Sequence, residues 1–192
     1  AAHEAEGPAG LRLACLVELL YGSGLRVSEL VGLRLEQLDL AEAILHVTGK
    51  GGRARIAPIG GQALAALDRY LAVRGGFVAT AVDHGWLFPS RARQGYLTRQ
   101  RILQLLKGLA VEVGLPPERV SPHVLRHAFA THLLARGMDL RVLQTLFFFN
   151  DTATTEIYTH LDRSQLRATV DACHPLGRAE AATDGDNGHP PG

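Results

Sequence analysis

The chain has 192 residues, 46% hydrophobic and 20% charged, with a formal net charge of +1, enough for one globular domain with a real core. No apolar run approaches the roughly 20 residues that cross a bilayer, and no charged-then-apolar leader opens the chain, which argues against export. Two cysteines, Cys15 and Cys173, give no disulfide framework and suit a reducing cytoplasm.

Charge is unevenly spread. Residues 43–148 carry 14 Lys/Arg against 5 Asp/Glu, whereas the flanks carry 6 against 14. A basic middle between acidic ends suggests an anionic partner on one face, although a solvated surface of uneven sign gives the same count.

In chain order, Leu11, Leu13, Leu16, Val17, Leu19 and Leu20 form a helical stripe that stops at "YGSG". A short helix restarts at Arg26. "AILHVTGKGGRARIAPIG" then changes period and reads as a β-hairpin with a Lys-Gly-Gly tip. A helix is predicted over 62–74, followed by a loop, and Thr98 is a candidate N-cap for a helix ending near Gly114. Ser121 as N-cap, Pro122 in the first turn and Gly137 as stop delimit the next helix. Asp139 is placed to cap "LRVLQTL". "DRSQLRATVDACH" reads as a last amphipathic helix, and the small, polar, Pro/Gly-rich end is expected to be disordered. The expectation is mainly α with one small antiparallel β-sheet: a single domain over 1–176 and a tail over 177–192.

Five residues stand out chemically. Arg26 begins a helix after a Gly-Ser-Gly turn, Lys50 sits at the hairpin tip, His123 and Arg126 share a helix face at i, i+3, and Tyr158 follows in a separate segment. Two guanidinium forks pair with phosphate oxygens and neutralise charge that builds at an attacked phosphodiester. A tyrosine hydroxyl is a nucleophile once its proton is removed, and a lysine can protonate a leaving oxygen. Each residue also has an ordinary reading: Arg26 as a surface ion pair with Glu29 or Glu18, Lys50 and Arg53 as solubilising tip residues, His123 as a cap, Tyr158 as a half-buried ring.

"GSGLRVSELVGL", "VTGKGGRARIAPIG", "SPHVLRHAFATHLLARGMDLRVLQTL" and "IYTHLDR", in that order, resemble the successive motifs of tyrosine recombinases, and of their Xer type in particular. The resemblance runs from about residue 10 to about residue 176. It implies Arg26 and Arg126 as phosphate-binding arginines, Lys50 as the hairpin lysine, His123 as the first histidine and Tyr158 as nucleophile. Arg53, Arg55, Arg99 and Arg101 are further expected to contact DNA. The implied reaction is strand exchange through a 3′-phosphotyrosine, without ATP, cofactor or metal, in bacterial chromosome dimer resolution. The implied partners are a double-stranded recombination site and other protomers, four in all and possibly of two kinds, linked by a C-terminal helix. The expected location is the cytoplasm, at the nucleoid. An N-terminal helical domain completes the family's DNA clamp. The present chain, which opens on Ala1 rather than Met, is expected to be a fragment without it.

"LFFFNDTATTEIYTH", residues 146–160, departs from the pattern. Phe147, Phe148 and Phe149 stand where the family commonly has Leu, Gly and His, so Phe149 takes the second histidine's position and is expected to impair catalysis. The run "NDTATTEIYT" resembles a translated sequencing adaptor, which would make residues 147–156 foreign to the natural protein. Two other readings remain at this stage besides a phage or transposon integrase. One is a catalytically inactive DNA-binding module built on the helix-turn-helix-like "FATHLLARGMDLRVLQTL". The other is a metal site using His123, His127 and His132. At about 100° per residue, one helix does not aim all three at one ion.

Overall fold

The structure, a computed structural model, describes residues 7–48, 54–79 and 82–147, together with residue 172. Among these, the architecture is helices packed around a small antiparallel sheet, as the periodicity predicts. Helix α1 (Gly7–Gly22) buries Ala14, Cys15, Leu16, Leu19 and Leu20. It starts before the leucine stripe because Pro8, with its fixed φ, suits an opening turn. The chain then turns through Gly24, whose φ of +58° is a left-handed conformation that glycine adopts without a steric penalty. Helix α2 (Val27–Val31) follows directly.

The hairpin forms as expected. Strands β2 (Ile44–Thr48) and β3 (Ala54–Pro58) pair antiparallel, with Ile44 opposite Pro58 and Thr48 opposite Ala54. A third strand, β1 (Leu38–Asp39), adds to β2 and gives the order β1-β2-β3. Two residues are too few to show alternation, so this strand is invisible in the sequence.

Helix α3 (Gly61–Leu71) ends short of residue 74. Arg74 instead begins a 3-10 turn, held by two bonds of 2.6 and 2.8 Å to the Asp83 carboxylate and two of 2.9 and 2.6 Å to the Trp86 carbonyl. These bonds bind the turn to the loop beyond it, where the glycines at 75 and 76 disfavour more helix.

The remaining helices obey their caps. In α4 (Arg99–Glu112) the Thr98 hydroxyl accepts from the Arg101 amide at 3.0 Å. In α5 (Pro122–Ala135) the Ser121 hydroxyl accepts from the Val124 amide at 3.2 Å, and Gly137 lies at φ +88° beyond the end. In α6 (Leu140–Phe147) the Asp139 carboxylate accepts from the Arg141 and Val142 amides at 2.7 and 3.3 Å. The expected last helix, apart from residue 172, and the expected tail fall outside the described residues.

Two apolar clusters result. The larger joins α1–α4 and the sheet, around Leu16, Leu20, Leu45, Ile59, Leu67, Tyr70 and Phe88. The smaller lies between α5 and α6 and comprises Phe129, Leu133, Met138, Leu143 and Leu146. Tyr21 of α1 spans the seam: its ring lies 5.8 Å from that of Phe129 and its hydroxyl 2.7 Å from Nδ1 of His132. No helix among the described residues is long and apolar enough to cross a membrane.

Candidate active site

The candidate site lies where these two clusters meet, and it is built around a carboxylate. Glu29, in the first turn of α2, has a side chain only 3% exposed. Its Oε2 accepts from the Arg26 backbone amide at 2.7 Å and its Oε1 from Nη1 of Arg26 at 3.1 Å. Arg55, from β3, grips the same group through two bonds, Nε to Oε1 at 3.3 Å and Nη2 to Oε2 at 2.7 Å. Arg126, from α5, brings Nη1 to 4.0 Å from Oε2, and the same nitrogen donates to the carbonyl of Gly24. The glycine turn therefore has two tasks: it aims Arg26, and it presents a carbonyl to Arg126.

Arg26 and Arg126, far apart in the sequence, thus approach one carboxylate. Their exposure differs. The Arg26 side chain is about half open, at 48%, and that of Arg126 is 13% exposed. Burial, together with the charges of Arg55 and Arg26, pushes the Arg126 guanidinium down to about 10, against the opposing pull of Glu29. It stays protonated at neutral pH. Burial alone would raise the Glu29 carboxyl, but the hydrogen bond and charge of Arg55, with those of Arg26, hold it below its ordinary value.

His123 is exposed in the first turn of α5, one turn before Arg126, with its ring stacked 5.8 Å from that of His127. His132 is engaged by Tyr21 instead, and no metal-holding group of His, Cys, Asp or Glu occurs among the described residues. Arg99 and Arg101 are exposed in the first turn of α4. Arg101 lines a cleft of about 670 Å³ with Arg12 and Arg91, and its Nη1 reaches Gln104 at 3.2 Å. Lys50, Arg53, Phe149 and Tyr158 lie outside the described residues.

One expectation is corrected. Arg55, read as a DNA contact, is buried, with a side chain 5% exposed. Its third bond, Nη1 to the Leu146 carbonyl at 3.2 Å, points into the protein. Arg55 shares the buried face of the sheet with Val47, its partner on β2, and Ala57, two residues on, and the carboxylate there draws it inward. Glu29 is the residue of this cluster that sequence reading undervalued, as a mere surface partner of Arg26. The available signal was its position three residues after the residue that opens the helix, where a carboxylate reaches back to the first free amide.

The phage integrase family profile matches residues 1–165. The chain is 51% identical to tyrosine recombinase XerD of Caulobacter vibrioides over 179 residues, 93% of this chain and 59% of that protein. It is also 51% identical to tyrosine recombinase XerC of Erythrobacter litoralis, over 93% of this chain and 56% of that protein. Among solved structures, XerA recombinase superposes with a TM-score of 0.65 at 34% identity, covering 87% of this chain and 60% of that one. The chain therefore spans less than three fifths of the length of the curated relatives named here. The fold, the arginine pair on Glu29 and these matches agree: the chain belongs to the phage integrase family.

Proposed function

We propose that this chain is the catalytic part of a site-specific DNA recombinase of the Xer kind. The convergence of Arg26 and Arg126 on Glu29 carries this reading. Two preorganised forks, one half open to solvent, suit the charge that develops on a phosphodiester as a fifth oxygen approaches. In the proposed step Tyr158 Oη loses its proton to solvent water and attacks the scissile phosphorus, the bond to the 5′ oxygen breaks, and Lys50 supplies the proton to that oxygen. The 3′-phosphotyrosine retains the bond energy, and a partner strand's 5′-hydroxyl reverses the step. His123 contributes a further donor beside Arg126.

The partners in this reading are a double-stranded recombination site and further protomers, held through the C-terminal segment after Tyr158. The role is chromosome dimer resolution in a bacterial cytoplasm. The names of the relatives favour it over phage or transposon integration. Phe149 weakens the reaction, because a phenyl ring donates nothing to a phosphate oxygen. One lost donor costs roughly 10²–10³ in rate.

A nicked suicide substrate tests the proposal. Its cleaved strand cannot be religated, so the covalent protein–DNA adduct accumulates. Arg126→Ala and Tyr158→Phe should abolish the adduct while leaving most binding, and Phe149→His should speed its formation by about 10²–10³. DNA binding without adduct, even in Phe149→His, would make the chain an inactive binding module instead.

A further inference from the structure

Arg55 is a buried cation that the proposed chemistry does not use, and its three hydrogen bonds join three elements. It leaves β3, whose hairpin carries Lys50 at its tip. Two of its bonds end on Glu29, the carboxylate that also holds Arg26. The third ends on the carbonyl of Leu146, in the last turn of α6. Carbonyls in a last turn have no partner within their helix and collect the negative end of its dipole, so a guanidinium there is favoured. Helix α6 has eight residues, too few to be stable alone. Among the described residues it sends Leu143, Leu146 and the half-buried Val142 to the small cluster. The chain that leaves this helix leads to Phe149 and Tyr158.

We infer that Arg55 is a positioning residue, clamping the end of α6 to the Glu29 cluster so that the chain running on to Tyr158 starts from a fixed point beside Arg26 and Arg126. Lysine cannot substitute. A single ammonium lacks the planar fork that spans both carboxylate oxygens and leaves a third donor for the carbonyl. The inference rests on the proposed function only where cleavage is read.

Three measurements on Arg55→Lys, with Arg55→Gln as a second variant, decide it. Amide hydrogen exchange should quicken over 143–147 by at least about tenfold more than any rise common to α1 and α3, as loss of a charge-assisted bond implies. DNA affinity and its salt slope should match the parent, because a buried clamp touches no phosphate. A slope shallower by about 0.9 would instead mark Arg55 as a phosphate contact and overturn the inference. So would exchange that rises uniformly along the chain, since that reports a stability role alone. Adduct formation should fall at least about tenfold, both on the ordinary nicked substrate and on one with sulfur in place of the bridging 5′ oxygen. A thiolate leaves without a proton from Lys50. Recovery on the sulfur substrate would mean that Arg55 acts through the hairpin lysine, and the α6 clamp would be wrong. If the parent and its Phe149→His variant form no adduct on either substrate, the recombinase reading fails. Exchange and salt slope then still decide Arg55.

Discussion

Glu29 shows how much one buried carboxylate organises. It stands between Arg26, Arg55 and Arg126, and removing one partner of such a buried network leaves the others uncompensated, at a cost of about 3–5 kcal/mol. Its pKa direction sets a pH dependence. The folded carboxyl is depressed below its unfolded value, which is about 4.3 for a glutamate. Glu29 therefore stabilises the fold fully above that pH, and its contribution is lost as pH falls further toward the folded value. Urea unfolding between pH 3 and 6 should show a steeper acid loss of stability in the parent than in Glu29→Gln. Equal slopes would mean that the carboxylate is not held as described. Arg55 makes the complementary point. Its residue type and its place near a basic hairpin tip suggest DNA contact, and only its direction on the strand shows otherwise.

At the level of the element, the helices that carry the site are placed by their ends. Arg26 follows a left-handed Gly24, and Arg126 lies in the second turn of a helix opened by the Ser121 cap and Pro122. Such local signals are legible because a hydroxyl, a proline ring and a missing Cβ each act on the adjacent backbone. Ser121→Ala should cost about 1 kcal/mol and lower the Tm by about 2–4 °C. DNA affinity should be nearly unchanged, since the hydroxyl is already spent on the Val124 amide. Calorimetry and a binding titration check both. Strand β1 and the early end of α3 were not legible. The first is held by pairing with β2, and the second by bonds from Arg74 to Asp83 and Trp86, partners that a local window does not contain.

Over the whole molecule, a large core and a small one meet along a seam, and the described site arginines lie at that seam. Such a site depends on how α5 and α6 seat against the rest. Tyr21–His132, Arg126–Gly24 and Arg55–Leu146 cross the seam as polar ties beside the apolar contacts. The charge asymmetry also belongs to this scale. With 14 basic residues against 5 acidic over 43–148, DNA affinity should fall steeply with salt, by about 0.9 in log–log slope for each phosphate contacted. Arg99→Ala and Arg101→Ala should each flatten that slope by about 0.9 if both exposed side chains meet phosphate. A flat profile in the parent would remove DNA from the proposal altogether.

The order of the helices, the hairpin between them and the family could be read along the chain, because caps, turn glycines and motif spacing act over a few residues and are written contiguously. The sequence also pointed to Arg26 and Arg126 as a pair. That they meet on Glu29, that Arg55 turns inward, and that the end of α6 is tied to the same cluster emerged from the packed fold alone. Those outcomes depend on which distant groups share a buried, low-dielectric space. There a charge must find its partner, wherever in the chain that partner lies.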